Sequence, residues 1–140
     1  MTDVAFIALG SNLGDRAAHL AFGCTRIARL PSTRMLAATS VEETAPLGGL
    51  DQEPYLNQMV AVETGLAPRA LLAHLHAIES ERGRVRAERW APRTLDLDLV
   101  QYDEMEVADA DLILPHPGLT DRDFWQREAL QLGELLRGGT

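Results

Sequence analysis

Apolar and polar residues alternate in short blocks along this chain, and the blocks are separated by segments in which apolar residues recur at helical spacing. Strands are predicted at 4–9, 35–43, 55–64 and 94–102, and a short extended piece at 107–114. Helices are predicted at 15–30, from residue 67 onward and at 120–136. The order β-α-β-β-α-β with a C-terminal addition predicts an α+β, ferredoxin-like α/β sandwich, with a mainly antiparallel sheet and its helices packed on one face.

The strand predicted at 94–102 carries the most specific chemical signal. Its leucines at 95, 97 and 99 face one side, so Asp96 and Asp98 face the other side together with Val100. The Cα atoms of the two aspartates are expected to lie about 6.6 Å apart, which lets their carboxylates share one divalent ion or hold two. The alternative is an exposed strand face on which both carboxylates are merely solvated.

Composition narrows the range of functions. The 140 residues are 46% hydrophobic, which is enough for the core of a single domain spanning 1–140, and no apolar run is long enough to cross a membrane. The first residues do not resemble a signal peptide, so a cytoplasmic location is expected. A single cysteine, Cys24, excludes an internal disulfide. The net charge of -8 argues against a nucleic-acid or membrane-surface partner.

All 13 basic residues are arginines, and five of them fall between Arg82 and Arg93. The absence of lysine excludes a P-loop lysine and a Schiff-base lysine. Such a cluster on an acidic protein, next to two aspartates, predicts a local pocket for a polyanion. A solvated basic loop is the alternative.

Two loops and one strand are further candidates for a binding site. The glycine turn at 10–14 joins a strand to a helix, where it either cradles a phosphate or simply turns the chain. The segment 44–54 is rich in proline and glycine and has the length of a binding loop. In the next strand Tyr55 and Asn57 share a face, so one can stack on a ligand and the other can hydrogen-bond to it.

These motifs together resemble the 6-hydroxymethyl-7,8-dihydropterin pyrophosphokinase family. The resemblance covers about residue 4 to residue 124 and rests on the motifs Gly-Ser-Asn-Leu at 10–13, Thr-Ala-Pro-Leu-Gly at 44–48, Gln-Glu-Pro-Tyr-Leu-Asn at 52–57, the stretch 78–86, Arg-Trp-Ala-Pro-Arg-Thr-Leu-Asp-Leu-Asp at 89–98, and Pro-His-Pro at 115–117. After Phe124 the chain departs from the family, because a helix-like run replaces the usual Pro-Leu pattern.

The resemblance implies roles for particular residues. Two magnesium ions are expected on Asp96 and Asp98, which belong to the expected catalytic set with Arg84, Arg86 and Arg93. The expected ATP-binding residues are His76, Glu79, Arg84, Arg93, His116 and Arg122. The expected pterin-binding residues are Thr44, Ala45, Leu47, Tyr55, Asn57, Trp90 and Phe124.

The implied reaction transfers a diphosphate from ATP to the hydroxyl of 6-hydroxymethyl-7,8-dihydropterin, with release of AMP, in folate biosynthesis. The implied substrates are therefore ATP and the pterin, bound by a monomer. Two other classes remain open. A palm-like nucleotidyl transferase or cyclase also uses two aspartates and two metal ions on such a sheet but releases pyrophosphate. A non-catalytic pterin-binding paralogue would need neither the aspartates nor the arginines.

Overall fold

The computed structural model describes residues 2–45, 53–83 and 94–138. Its elements, in chain order, are β1 (Asp3–Ser11), α1 (Arg16–Ala28), β2 (Thr33–Ala38), β3 (Glu42–Thr44), β4 (Tyr55–Thr64), α2 (Pro68–Glu81), β5 (Asp96–Tyr102), β6 (Val107–Ala108), β7 (Ile113–Leu114), α3 (Gly118–Asp121) and α4 (Asp123–Gly138). In the described part of the chain, no helix is both long enough and apolar enough to cross a membrane.

The main sheet has the strand order β2-β4-β1-β5, and β3 pairs with β4 beyond the end of β2. Every described pairing is antiparallel. The predicted α+β class with a mainly antiparallel sheet is therefore confirmed. In this register Gly10 of the central strand β1 lies opposite Asn57 of β4 on one side and opposite Asp96 of β5 on the other.

The single strand predicted at 35–43 is wrong, because the structure divides it into β2 and β3. The division falls at Thr39. The backbone N–H of Thr39 still donates to the carbonyl of Met59, but its hydroxyl oxygen accepts the N–H of Met59 in place of its own carbonyl. That carbonyl instead accepts the side-chain amide of Gln58. The ladder therefore continues through a side chain, and the backbone can turn between the two strands.

The prediction that the helices pack on one face is also wrong. Helices α1 and α2 cover one face of the sheet, where they bury Leu20, Leu71 and Leu75 against the strands. Helix α4 covers the opposite face, where Phe124 and Leu132 pack on the sheet. The run of apolar residues at 5–9, without polar interruption, follows from this arrangement because both faces of β1 are buried.

The C-terminal region differs from prediction in two details. The extended piece predicted at 107–114 is a small hairpin of β6 and β7. The helix predicted at 120–136 begins as the single turn α3, and after Arg122, whose backbone is extended, it continues as α4. Between the hairpin and α3, the backbone N–H of His116 donates to the carbonyl of Val100, which places this connection beside β5.

Glu128 lies within the buried stripe of α4. It is 2% exposed, and neither of its carboxylate oxygens has a hydrogen-bond partner among the described residues. The pKa of Glu128 is raised to about 8, mainly by burial and also by the negative charge of Glu42, while Arg127 opposes the rise. Arg127 itself pairs with Glu42 at 2.8 Å. At neutral pH the Glu128 side chain is therefore mainly the neutral acid.

The stability of the protein should fall as the pH rises through the pKa of Glu128. The folded-state pKa of about 8 exceeds the ordinary value of 4.5, so the stabilisation by this proton is complete below pH 4.5 and is lost as the pH rises through 8. Relative to the Glu128→Gln variant, the wild type should lose about 2 to 4 kcal/mol of unfolding free energy between slightly acidic and alkaline pH, at ~1.4 kcal/mol per pH unit discounted for solvent screening. Denaturant titration at a series of pH values measures this difference.

The control is Glu134→Gln, at an exposed position on the same helix. Its unfolding free energy should follow the wild-type pH profile. Parallel profiles for the wild type and Glu128→Gln would contradict the assignment to Glu128.

Candidate active site

The two aspartates of β5 lie on the sheet face that α4 covers. Leu97 and Leu99 belong to the core beneath α1 and α2, whereas Val100 packs with the core residues beneath α4. Asp96 and Asp98 therefore share the α4 side of the strand, as the alternation predicts. Both are partly buried, and the side chain of Asp98 is 29% exposed. This exposure leaves a carboxylate accessible to a ligand.

His116 faces Asp98 from the segment that follows β7. Its backbone N–H donates to the carbonyl of Val100 at 2.8 Å, and its Nδ1 accepts the backbone N–H of Gly118 at 2.9 Å. The hydrogen of the neutral ring must then be on Nε2, which lies 3.8 Å from Oδ1 of Asp98. Burial lowers the pKa of His116, the nearby charge of Arg122 lowers it further, and Asp96 opposes the change. The ring is thus a neutral Nε2–H donor at neutral pH.

Trp125 of α4 supports both His116 and Arg122. The His116 ring meets the indole edge-on at 4.9 Å between centroids, and the guanidinium of Arg122 lies 4.3 Å from the centre of the indole. Trp125 is 3% exposed, so it holds these groups from the core side. Sequence reasoning missed this role. The available signal was an aromatic residue three positions after Arg122.

A cavity of about 360 Å³ lies between α2, β5 and the hairpin of β6 and β7. It has the size of a small-molecule site. Five of the predicted site residues line it, namely His76, Glu79, Asp96, Asp98 and His116, together with Leu72 and the stretch 110–113. His76 is exposed on α2. The cavity therefore brings the expected metal ligands next to several expected nucleotide contacts.

Glu79 is placed differently from its neighbours in the cavity wall. It is 2% exposed, and its Oε2 accepts the backbone N–H of Leu97 at 2.7 Å. Leu97 stands between the two aspartates. The carboxylate of Glu79 is therefore joined to the backbone of the strand that carries them.

A second group of predicted residues gathers at the β3–β4 side of the same sheet face. The side-chain amide of Asn57 donates to the hydroxyl of Thr44 at 2.6 Å, and Asn57 is 6% exposed. A Cβ at Gly10 would lie 3.4 Å from Cδ1 of Tyr55, so the missing side chain makes room for that ring. Phe124 belongs to the same face and meets Trp125 edge-on at 6.5 Å between centroids.

The register of β1 relates these two groups of residues. Gly10 pairs with both Asp96 and Asn57, so the three positions form one row across three strands. At about 4.8 Å per strand, the Cα atoms of Asp96 and Asn57 lie about 10 Å apart on one face. A ligand on Asn57 and a ligand on Asp96 can therefore meet over Gly10.

The glycine turn at 10–14 is better explained as a plain turn. Gly14 has a φ of 73°, and Asp15 caps α1 by accepting the N–H of Ala18 at 3.1 Å. A carboxylate at this helix N-terminus occupies the place that a phosphate would take.

Arg82 connects two helices of the fold. Its Nε donates to Nδ1 of His19 at 2.8 Å, and its guanidinium lies 4.6 Å from the centre of the Phe22 ring. Burial lowers the pKa of His19 and the charge of Arg82 lowers it further, which keeps the acceptor neutral. Arg82 therefore ties the end of α2 to α1.

Several predicted site residues lie outside the described residues. They are Leu47, Arg84, Arg86, Trp90 and Arg93. Their roles stay predictions. Ala45 is described and is exposed directly after β3.

The chain belongs to the 7,8-dihydro-6-hydroxymethylpterin-pyrophosphokinase (HPPK) family, whose profile matches residues 6–134. It is 42% identical over 120 residues to the 2-amino-4-hydroxy-6-hydroxymethyldihydropteridine pyrophosphokinase of Methylorubrum extorquens, covering 86% of this chain and 76% of the relative. It is 40% identical over 124 residues to the enzyme of that name from Pseudomonas aeruginosa, covering 89% of this chain and 76% of the relative.

Among solved structures, the fold resembles a crystal structure of HPPK-DHPS in complex with substrates. The TM-score is 0.56 at 11% sequence identity, and the match covers 78% of this chain and 30% of that longer chain. At this identity the likeness supports the fold alone, and it agrees with the α+β arrangement described above.

Substitution of Gly118 by alanine should disturb the site. An added Cβ would lie 2.7 Å from Cζ3 of Trp125, 3.1 Å from Nδ1 of His116 and 3.2 Å from Nε of Arg122. Such overpacking should cost about 1 to 3 kcal/mol of stability and displace His116 and Arg122. Thermal unfolding and the affinity for an ATP analogue are the measurements.

Gly133→Ala is the matched control, because its Cβ would meet only Arg137 Nη1 at an ordinary 3.5 Å. That variant should gain about 0.5 to 1 kcal/mol from helix propensity and bind normally. Unchanged stability and nucleotide affinity in Gly118→Ala would show that the neighbouring side chains yield without cost.

Proposed function

We propose that this chain transfers the terminal diphosphate of ATP to the hydroxymethyl group of 6-hydroxymethyl-7,8-dihydropterin, a step of folate biosynthesis. The observation that carries the proposal is the row across the sheet, in which Asp96 lies about 10 Å from Asn57 on the same face. A phosphate site and a heterocycle site are then within reach of each other. Membership of the HPPK family supplies the reaction and the identity of both substrates.

The aspartate pair suits magnesium. Mg²⁺ is usually held by one or two carboxylates together with substrate phosphates and water, and Asp96 and Asp98 offer two carboxylates on one face of β5. We assign both residues as the protein ligands of two ions. When bound, magnesium neutralises phosphate charge and aligns the reacting oxygens.

The cavity beside β5 suits the nucleotide. His116 presents a neutral Nε2–H near Asp98, and Arg122 presents a guanidinium held over Trp125. Both are donors of the kind that bind phosphate oxygens. We assign His116 and Arg122 to the triphosphate and the exposed His76 to the rim of the nucleotide site.

The pterin is assigned to the β3–β4 side of the same face. A flat heterocycle needs an aromatic surface, which Tyr55 and Phe124 can supply, and a side chain that reads both donors and acceptors on its edge. Asn57 has such a side chain, and its hydrogen bond to Thr44 fixes the amide orientation. Asn57 then presents its Oδ1 toward Gly10, the side on which the nucleotide is assigned.

In the proposed reaction the hydroxymethyl oxygen attacks the β-phosphorus of ATP in line. A new O–P bond forms, the bond from the β-phosphorus to the α,β-bridging oxygen breaks, AMP leaves, and the proton of the hydroxyl passes to solvent. Charge develops on the phosphate oxygens, so positioning and electrostatic stabilisation contribute most of the rate enhancement. His116 and Arg122 contribute fixed donors to this stabilisation, and no residue is assigned as a strong base.

The product distinguishes this proposal from the two alternatives. Incubation with magnesium-ATP and reduced 6-hydroxymethylpterin should yield AMP and a diphosphorylated pterin in equal amounts, measured by chromatography and phosphorus NMR. ADP as the nucleotide product, or release of pyrophosphate as expected of a palm-like transferase, would contradict the proposal. Binding of both ligands without turnover would favour the non-catalytic paralogue.

Substitution of either aspartate by asparagine should remove activity without unfolding the protein. Because a neutral amide does not balance the charge of the metal, each of Asp96→Asn and Asp98→Asn should lose roughly 100-fold or more in turnover, about 2.7 kcal/mol of transition-state stabilisation. If the two aspartates are merely solvated and bind no metal, each variant should keep full activity, and its stability should change by less than about 0.5 kcal/mol.

Measurements of turnover at saturating magnesium and of thermal unfolding distinguish the metal-ligand hypothesis from the solvated-surface hypothesis. Asp109→Asn is the control, because Asp109 pairs with Arg69 on the surface and does not line the cavity. It should retain wild-type turnover. A variant of Asp96 or Asp98 with a near wild-type rate would remove that residue from the proposed metal site.

A further inference from the structure

The strand that carries the aspartates is at the end of the sheet. In the described part of the chain, β5 pairs with β1 on one side and has no strand ladder on the other. A backbone N–H on such an edge needs another partner when it is buried. For Leu97, between the two aspartates, that partner is the carboxylate of Glu79, with 2.7 Å between its Oε2 and the amide nitrogen.

The position of Glu79 is itself well determined. It follows Ile78 on α2, and Leu75 and Ile78 are both buried in the core beneath this helix. Glu79 is 2% exposed, so almost none of its surface is available to a ligand even though it borders the cavity. Because α2 is fixed by its packing, the hydrogen bond from the Leu97 N–H to the Glu79 carboxylate fixes one peptide group of β5 relative to this helix.

That peptide group controls the geometry of the metal site. The amide nitrogen of Leu97 is bonded to the carbonyl carbon of Asp96, so a hydrogen bond at this atom fixes the peptide plane between the two aspartates. Carboxylates that hold two ions about 3.5 to 4 Å apart must be placed to about 0.5 Å. An edge strand that has no paired strand on that side needs a separate contact at Leu97 to hold this placement.

We propose that Glu79 is a positioning residue of the metal site, acting through the Leu97 amide to hold the carboxylates of Asp96 and Asp98 in register. This inference rests on the proposed function for its metal. It differs from the nucleotide contact that the family resemblance implies for Glu79, because the group it acts on is the backbone of β5.

Two substitutions of Glu79 distinguish positioning through the Leu97 amide from a direct charge contact to metal or nucleotide. Glu79→Gln keeps an oxygen that can accept the Leu97 N–H but removes the charge, whereas Glu79→Leu keeps the volume and removes the acceptor. The Gln variant should retain turnover within about 3-fold of wild type. The Leu variant should lose about 10- to 100-fold in turnover and need about 10-fold more magnesium for half-maximal rate, as for other residues that orient metal ligands.

Hydrogen exchange of the Leu97 amide, measured by NMR without substrates or metal, gives a readout that does not depend on activity. Exchange should be slow in the wild type and in Glu79→Gln and should accelerate by 10-fold or more in Glu79→Leu. Because this measurement involves neither ATP nor pterin, it can succeed even where the product assay fails. A failed product assay alone would therefore count against the proposed reaction and leave the contact between Glu79 and Leu97 in place.

The matched control is Glu81→Leu, two positions along the same helix, where the carboxylate pairs with Arg26 on the surface. It should change neither the magnesium requirement nor the Leu97 exchange rate. Equal damage in Glu79→Gln and Glu79→Leu would overturn the proposal in favour of a direct charge contact to metal or nucleotide. Wild-type magnesium dependence in Glu79→Leu would overturn it altogether.

Discussion

The antiparallel register of β1 against its two neighbours is the constraint on which the candidate site depends. Gly10 pairs with Asn57 of β4 on one side and with Asp96 of β5 on the other. If either pairing slipped by one residue, the side chain of Asn57 or of Asp96 would turn to the opposite face of the sheet. The register with β5 shifts between Phe6 and Ile7, where Val100 is the extra residue. This irregularity comes after Asp98 along β5, so Asp96 and Asp98 are in regular register with Gly10 and Ala8 of β1.

Burial of both sheet faces explains why this register holds. Phe6 and Ala8 face α4, whereas Ala5 and Ile7 face α1 and α2, so sliding β1 by one residue would exchange two differently packed sets. On the face beneath α4, the apolar positions of β1 and β4 give way to Gly10 and Asn57 at one end, and Asp96 of β5 lies in the same row. The apolar core thus fixes the strands, and the site occupies the end at which that core stops.

An acidic protein that binds a nucleoside triphosphate must supply positive charge close to the phosphates. The net charge is -8; within the described residues, His116 lines the cavity with its Nε2 near Asp98, and Arg122 lies over the same Trp125 ring that His116 contacts. Both are held by Trp125, and the pKa of His116 is lowered. The arginines between residues 84 and 93 stay a prediction in this respect, and Arg82 binds His19 instead.

Local patterns predicted the elements well and their tertiary relations less well. The period of two in β5 placed both aspartates correctly because alternation is a property of the strand alone. The split of the strand at Thr39 depends on a hydroxyl that replaces a carbonyl in the ladder, which no local periodicity reveals. The second helical layer was missed although β1 is apolar at every position from 5 to 9. Glu79 lies four residues after Leu75 on the buried stripe of α2, so helical spacing did contain the signal for its burial.

Helix α4 contributes both to the candidate site and to the stability of the protein. The family match extends through this helix to residue 134, and the buried stripe of the helix contains Glu128, which has no hydrogen-bond partner among the described residues. A buried acid in that position costs stability, yet Trp125 in the preceding turn still packs against His116 and Arg122. His116, which lines the cavity, and Arg122 are thus held by the first turn of α4, so substitutions farther along the helix should affect stability before they affect the site. For this reason we expect substitutions in the C-terminal part of α4 to change the stability of the enzyme more than the reaction it catalyses.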